Sequence, residues 1–160
     1  MARTFRVIDG CPVPASIAPY VHLVLRDAGQ TANSIYRGED AAALLRRHGK
    51  RTQAQIHRDL PAISNPPGRS THELRSDGVA YPGPVGRPLR EWQVGVDSGT
   101  DSAADAAAIE RAARGRRWKV VHPYRSGVER HHWNFAERPR PRGPRTRAKV
   151  IYLRARLPRA

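Results

Sequence analysis

Glu129 stands three positions before His132 in the stretch GVERHHWNFAERP (127–139), the densest cluster of reactive side chains in this 160-residue chain. A carboxylate and an imidazole so close together suit a hydrolytic metal site. There, three protein ligands hold the ion, a water fills an open position, and an unliganded carboxylate acts as base. The remaining ligands must come from elsewhere in the chain. His72, in STHELRSDG, and Asp97, closing the apolar run of WQVGVDSG between two glycines, are the candidates. Asp77 competes for the carboxylate role, although in Ser-Asp-Gly it also reads as a turn residue. Cys11 is the single cysteine, which excludes an intramolecular disulfide and a cysteine-based metal cage. Any metal must be held by histidine and carboxylate.

Read as a strand, residues 131 to 137 send His131, Trp133 and Phe135 to one face and His132 and Asn134 to the other. The first set is a core face with His131 at its end; the second is polar. Glu129 is an odd number of residues from His132, so the two share a site only if Glu129 lies in the turn before the strand. Ser126-Gly127 offers such a turn. The other histidines have structural explanations: His22 and His57 lie on expected helices, His48 in a helix's last turn, and His122 before a proline.

The elements that must position these groups follow from periodicity and capping. IAPYVHLVLRDA (17–28) places apolar residues at helical spacing and stops at Gly29. A second helix is expected over 39–47, closed by Gly49. A third starts at Thr52, where Thr52 and Gln55 form a capping box, and ends near Leu60. SNPPGRS (64–70) is a loop. The Gly- and Pro-punctuated stretch after it suggests a hairpin-like excursion leading into a strand at 91–97. Ser102 caps an alanine-rich helix that ends at Gly115. Strands over 118–124 and 131–137 follow, and a last strand-like run, AKVIYLRARL, comes after a Pro/Arg linker. Helices first, then strands around one long helix, reads as a single α+β domain.

Basic residues number 29 against 14 acidic ones, for a net charge of +15. Lysine contributes only Lys50, Lys119 and Lys149; the rest are arginine. Such a surface attracts polyanions such as nucleic acid, acidic lipid or an acidic cell-wall polymer, and GC-rich coding alone also raises arginine and alanine. No apolar run reaches the roughly 20 residues of a membrane helix, and none suits a secretory signal. Folding in a cytoplasm and no membrane insertion are therefore expected.

SIYRG (34–38), STH (70–72), VGVD (94–97) and ERHHWNF (129–135) together resemble the zinc D-alanyl-D-alanine carboxypeptidases and L-alanyl-D-glutamate peptidases. These share a fold with the Hedgehog signalling domain and include many bacteriophage endolysins. The family pattern is a Ser-Gly-Tyr-Arg-like stretch, then Ser-x-His-x(6)-Asp, then Glu-x-x-His and an aromatic residue. The order matches here, over about residues 17 to 139. The second element departs from it: the family spacing would place the aspartate at Val79, so 73–92 reads as an insertion and Asp97 takes the role, with Asp77 still possible.

The resemblance implies a Hedgehog/DD-peptidase-like α+β fold: an antiparallel sheet, N-terminal helices and one central helix. Residues 1–16 would be an N-terminal extension, 17–139 the zinc peptidase domain, and 140–160 a basic segment forming an edge strand of that domain. It implies Zn²⁺ on His72, Asp97 and His132, with Glu129 as base. Arg37 would hold the polarised carbonyl oxygen or a substrate carboxylate, and Ser70 would contact substrate or support the site. The implied substrates are peptidoglycan stem peptides, cut by a monomeric endolysin or virion-associated lysin that acidic wall polymers attract and that stays in the host cytoplasm until release. Two rivals stand beside this reading. A nucleic-acid-binding protein would explain the charge, yet arginine is spread along the whole chain rather than clustered. A metal-binding domain without catalysis would not need Glu129.

Overall fold

The computed structural model describes residues 2–79, 81, 83–90, 92–99, 102–114, 118–121 and 131–137. The first element is a hairpin of β1 (Phe5–Ile8) and β2 (Cys11–Pro14). Its two-residue turn is Asp9-Gly10, both with positive φ (50° and 74°), the backbone that matches a tight hairpin to strand twist. Within the expected N-terminal extension, 1–16, residues 5–14 thus fold as a hairpin that sends Ile8, Cys11 and Val13 into the core.

Helix α1 (Ala18–Ala28) forms where its spacing predicts, burying Ala18, Val21, Val24 and Leu25 and ending on left-handed Gly29. The expected 39–47 helix divides into a 3-10 turn (Glu39–Ala41) and α2 (Ala42–Arg47). Helix α3 (Gln53–Asp59) carries the anticipated capping box. Thr52 Oγ1 accepts from Gln55 N, and Gln55 Oε1 accepts from Thr52 N. Helix α4 (Ala103–Ala113) starts on Ser102, whose hydroxyl accepts from Asp105 N at 3.1 Å, and buries Ile109 and Ala113. The stop expected at Gly115 lies outside the described residues, as does the AKVIYLRARL run.

Strands β3 (Ala32–Ser34), β4 (Gln93–Ser98), β5 (Trp118–Val121) and β6 (His132–Glu137) form one antiparallel sheet in the order β3-β4-β6-β5. The architecture is α+β at this level. Register divides the two central strands by chemistry. Val94 lies opposite Phe135 and Val96 opposite Trp133, and all four are buried with α1 and α4 in one apolar core. The alternate positions pair Gly95 with Asn134 and Asp97 with His132, turning a polar set to the other face.

Between α3 and β4 the chain makes the expected excursion. Its base is closed by Leu89 N to Leu74 O and Ser76 N to Arg87 O, with one isolated bridge, Arg75 to Pro88. Tyr81, buried, fastens the excursion to the sheet by donating its hydroxyl to Phe135 O at 2.7 Å.

Candidate metal centre

Three elements distant in sequence deliver the site. A 3-10 turn, Thr71–Glu73, lies against the polar face of β4 and carries His72; β4 carries Asp97; β6 carries His132. Gly95 permits the approach: a Cβ there would meet Thr71 Oγ1 at 2.4 Å and His132 Cε1 at 2.9 Å. Ser70, expected as a substrate or supporting contact, accepts from His72 N at 3.2 Å and caps the turn.

His72 Nε2, His132 Nδ1 and Asp97 Oδ1 converge. Their separations are 3.1 Å between the two nitrogens, 2.8 Å from His132 to Asp97 and 3.2 Å from His72 to Asp97. All three residues are buried, at 3 to 6% exposure, and line a cleft of about 180 Å³. Protons are assigned by the atoms behind the rings. Ile35 O, 2.5 Å from His72 Nδ1, can only accept, so that nitrogen carries the hydrogen and Nε2 turns a lone pair inward. Asn134 Oδ1, 3.0 Å from His132 Nε2, does the same for the second ring, leaving Nδ1 to face the site.

Burial, then the Arg37 charge, lowers the His72 pKa to about 4, so the ring is neutral at neutral pH. Burial opposes ionisation of Asp97, but the Arg37 guanidinium that donates to its Oδ2 holds the carboxyl well below the usual range. With His72 neutral, Arg37 is the permanent cation in that balance.

Three lone-pair donors thus face one another with no proton between the two ring nitrogens, an arrangement that repels itself unless a cation is shared. Tetrahedral ligands at zinc-like bond lengths lie about 3.3 Å apart, within a few tenths of an ångström of the separations here. The residues fit a metal ion. Two imidazoles and a carboxylate are a donor set for first-row divalent cations.

Of the two aspartates left open by the sequence, Asp97 joins the cluster. Asp77 accepts from Val79 N at 2.9 Å, as a turn residue does, and lines the cleft outside the metal-capable group. Arg37 is more committed than expected. Its Nε donates to Ser34 Oγ at 2.5 Å, Nη1 to Gln53 Oε1 at 3.4 Å, and Nη2 to Asp97 Oδ2. It therefore holds the carboxylate so that Oδ1 faces the histidines, and two of its five N–H groups remain beyond these three bonds.

Strand β6 starts at His132, so the alternation expected for His131 does not govern it. His131 is half-buried and lines the cleft rather than closing the aromatic face. Glu129 lies outside the described residues. Sequence reasoning passed over Thr71, Gln53 and the apolar wall of Ile56, Leu60 and Ile63. Asn134 was readable as a partner of His132, since residues two apart on a strand share a face.

Comparison of the chain with protein-family models, with curated protein sequences and with solved structures found no match in any of the three.

Proposed function

We propose that this protein is a zinc peptidase of the Hedgehog/DD-peptidase type that hydrolyses peptidoglycan stem peptides, as a bacteriophage endolysin or virion-associated lysin. One observation carries the reading: His72, Asp97 and His132, chosen by motif order from three distant segments, meet in one buried cluster at metal-ligand spacing. No helix of the described residues is long and apolar enough to cross a membrane. The net charge of +15, including the basic segment 140–160, suits adsorption to an acidic wall polymer.

A zinc ion held by the three residues would supply a Lewis acid that polarises the scissile carbonyl and lowers the pKa of water. Glu129 takes the proton from the attacking water and returns it to the leaving amine. Arg37 keeps Asp97 oriented and offers its uncommitted N–H groups to the carbonyl oxygen or a substrate carboxylate. Ser70 and Asn134 act through the histidines they support.

The test is product analysis by mass spectrometry on purified peptidoglycan, with and without chelator. Zinc-dependent release of stem-peptide fragments is expected. Glu129→Gln should keep zinc and fold but lose hydrolysis by about 100-fold or more; equal activity in that variant refutes the assignment. A basic nucleic-acid-binding protein would instead hold no zinc and bind polymer equally well after His132→Ala.

A further inference from the structure

The cleft over the metal-capable cluster does not end there. A second cavity of about 220 Å³ adjoins it, and the two share Arg37, Ile56, Asp97 and His131. The cluster therefore sits at a junction between two arms of unlike chemistry.

The first arm is walled by Ile56, Leu60 and Ile63. Leu60 and Ile63 are 42% and 56% exposed, two of the five large apolar side chains left in water among the described residues. Two exposed aliphatic chains on one rim leave apolar surface that a ligand could cover. Asp77 also lines this arm, so a ligand carboxylate placed there meets like charge.

The second arm is lined by Asn33, Ser34, Lys50 and Arg51. Arg51 is paired with Asp59 at 2.9 Å, which offsets its charge. Lys50 differs. Its ammonium donates to Asn33 O at 3.0 Å, a neutral acceptor, and no carboxylate of the described residues lies within ion-pair distance of it. Asn33 precedes Ser34, the β3 residue opposite Asp97, so Lys50 is tied to the strand beside the carboxylate ligand. Its backbone is held as well, by Lys50 N donating to Leu45 O at 2.8 Å. An ammonium tied to the backbone of β3, with two donors to spare, is a recognition point for an anion.

We propose that substrate lies across the junction, with an aliphatic side chain against Ile56, Leu60 and Ile63 and a carboxylate beside Lys50. The inference rests on the peptidase reading and deepens it: the two unlike arms fix the direction in which substrate crosses the cleft. Lys50, Leu60 and Ile63 determine specificity and take no part in bond breaking.

The experiment compares two short aliphatic peptides, alike except that one ends in a free carboxylate and the other in a carboxamide. Binding to zinc-loaded protein is measured by calorimetry, and hydrolysis of each is followed by mass spectrometry. Wild type should bind the carboxylate form about tenfold more tightly, the lower end for a charge-assisted hydrogen bond. In Lys50→Met the two should bind alike. In Leu60→Ala/Ile63→Ala both should weaken, by about tenfold, with the preference kept. Zinc content and thermal midpoint, measured on each variant, separate misfolding from lost recognition. No preference in wild type, or an undiminished preference in Lys50→Met, overturns the inference; hydrolysis of the amide peptide would then still support the peptidase. Failure to bind or cleave either peptide overturns both.

Discussion

Gly95→Ala reports on packing and metal binding together. The added Cβ would lie 2.4 Å from Thr71 Oγ1 and 2.9 Å from His132 Cε1, where ordinary contact is about 3.4 Å or more. Neither neighbour yields easily. Thr71 is 1% exposed, and turning its hydroxyl aside brings a methyl of similar bulk into the same space. His132 donates Nε2–H to Asn134 Oδ1 behind it and has the Asp97 carboxylate 2.8 Å from its other nitrogen in front, so the ring has no room to retreat. Overpacking of this kind costs about 1–3 kcal/mol, and the entropy lost by the unfolded chain on replacing glycine returns about 0.4–1. A net loss of about 1–2 kcal/mol remains, or roughly 2–8 °C in a domain of this size. Thermal unfolding in chelator reads the packing cost alone. Competition with a chromophoric chelator reads the second effect, a loss of roughly tenfold or more in zinc affinity as the ring is pushed from its place. Adding Thr71→Ala should recover part of both losses, because the two sites are in contact and their effects do not add. A thermal midpoint within about 1 °C of wild type, with zinc affinity within about twofold, refutes the close packing on which the site depends.

Removing one ligand at a time, by His72→Ala, Asp97→Ala or His132→Ala, should abolish stoichiometric zinc by elemental analysis, whereas Asp77→Ala should retain it; the reverse result would return the carboxylate role to Asp77. Asn134→Ala should lower zinc affinity by about 10- to 100-fold in chelator competition, since the Thr71 hydroxyl then left beside His132 Nε2 at 3.3 Å can donate as well as accept and no longer fixes the tautomer. In metal-free protein, the lowered His72 pKa gives stability a sign that denaturant titrations can read. The unfolded ring, near pH 6.5, binds a proton that the folded ring refuses until about pH 4. That contribution is full above about pH 6.5 and is lost as pH falls towards 4, about 3 kcal/mol in all. His72→Gln should flatten the slope in this window, and an unchanged slope would show that the ring is not buried neutral.

Much of the local structure was legible because it is set by neighbouring residues. Helix α1 follows from apolar spacing ending on Gly29, and α3 from the Thr52–Gln55 box, in which each side chain closes the other residue's backbone N–H. The Asp9-Gly10 hairpin was equally local but went unread, because prolines in CPVP mask the strand that follows it. The division of β6 into an aromatic and a polar face came from alternation alone. It failed for His131 because alternation holds only inside a strand, and the strand begins one residue later.

By itself, the sequence determined which chemistries were possible. One cysteine left only imidazole and carboxylate ligands, and motif order named His72, His132 and two aspartates as the set to choose from. Choosing between Asp97 and Asp77 needed the tertiary structure. Spacing along the chain counts residues, and the excursion between His72 and β4 breaks any fixed count. The sheet register does not depend on that count. Pairing β4 with β6 sets Asp97 directly opposite His132, and bare Gly95 beside them lets the turn carrying His72 come within bonding distance. Asp77, held in its own turn on the excursion, stays outside the cluster.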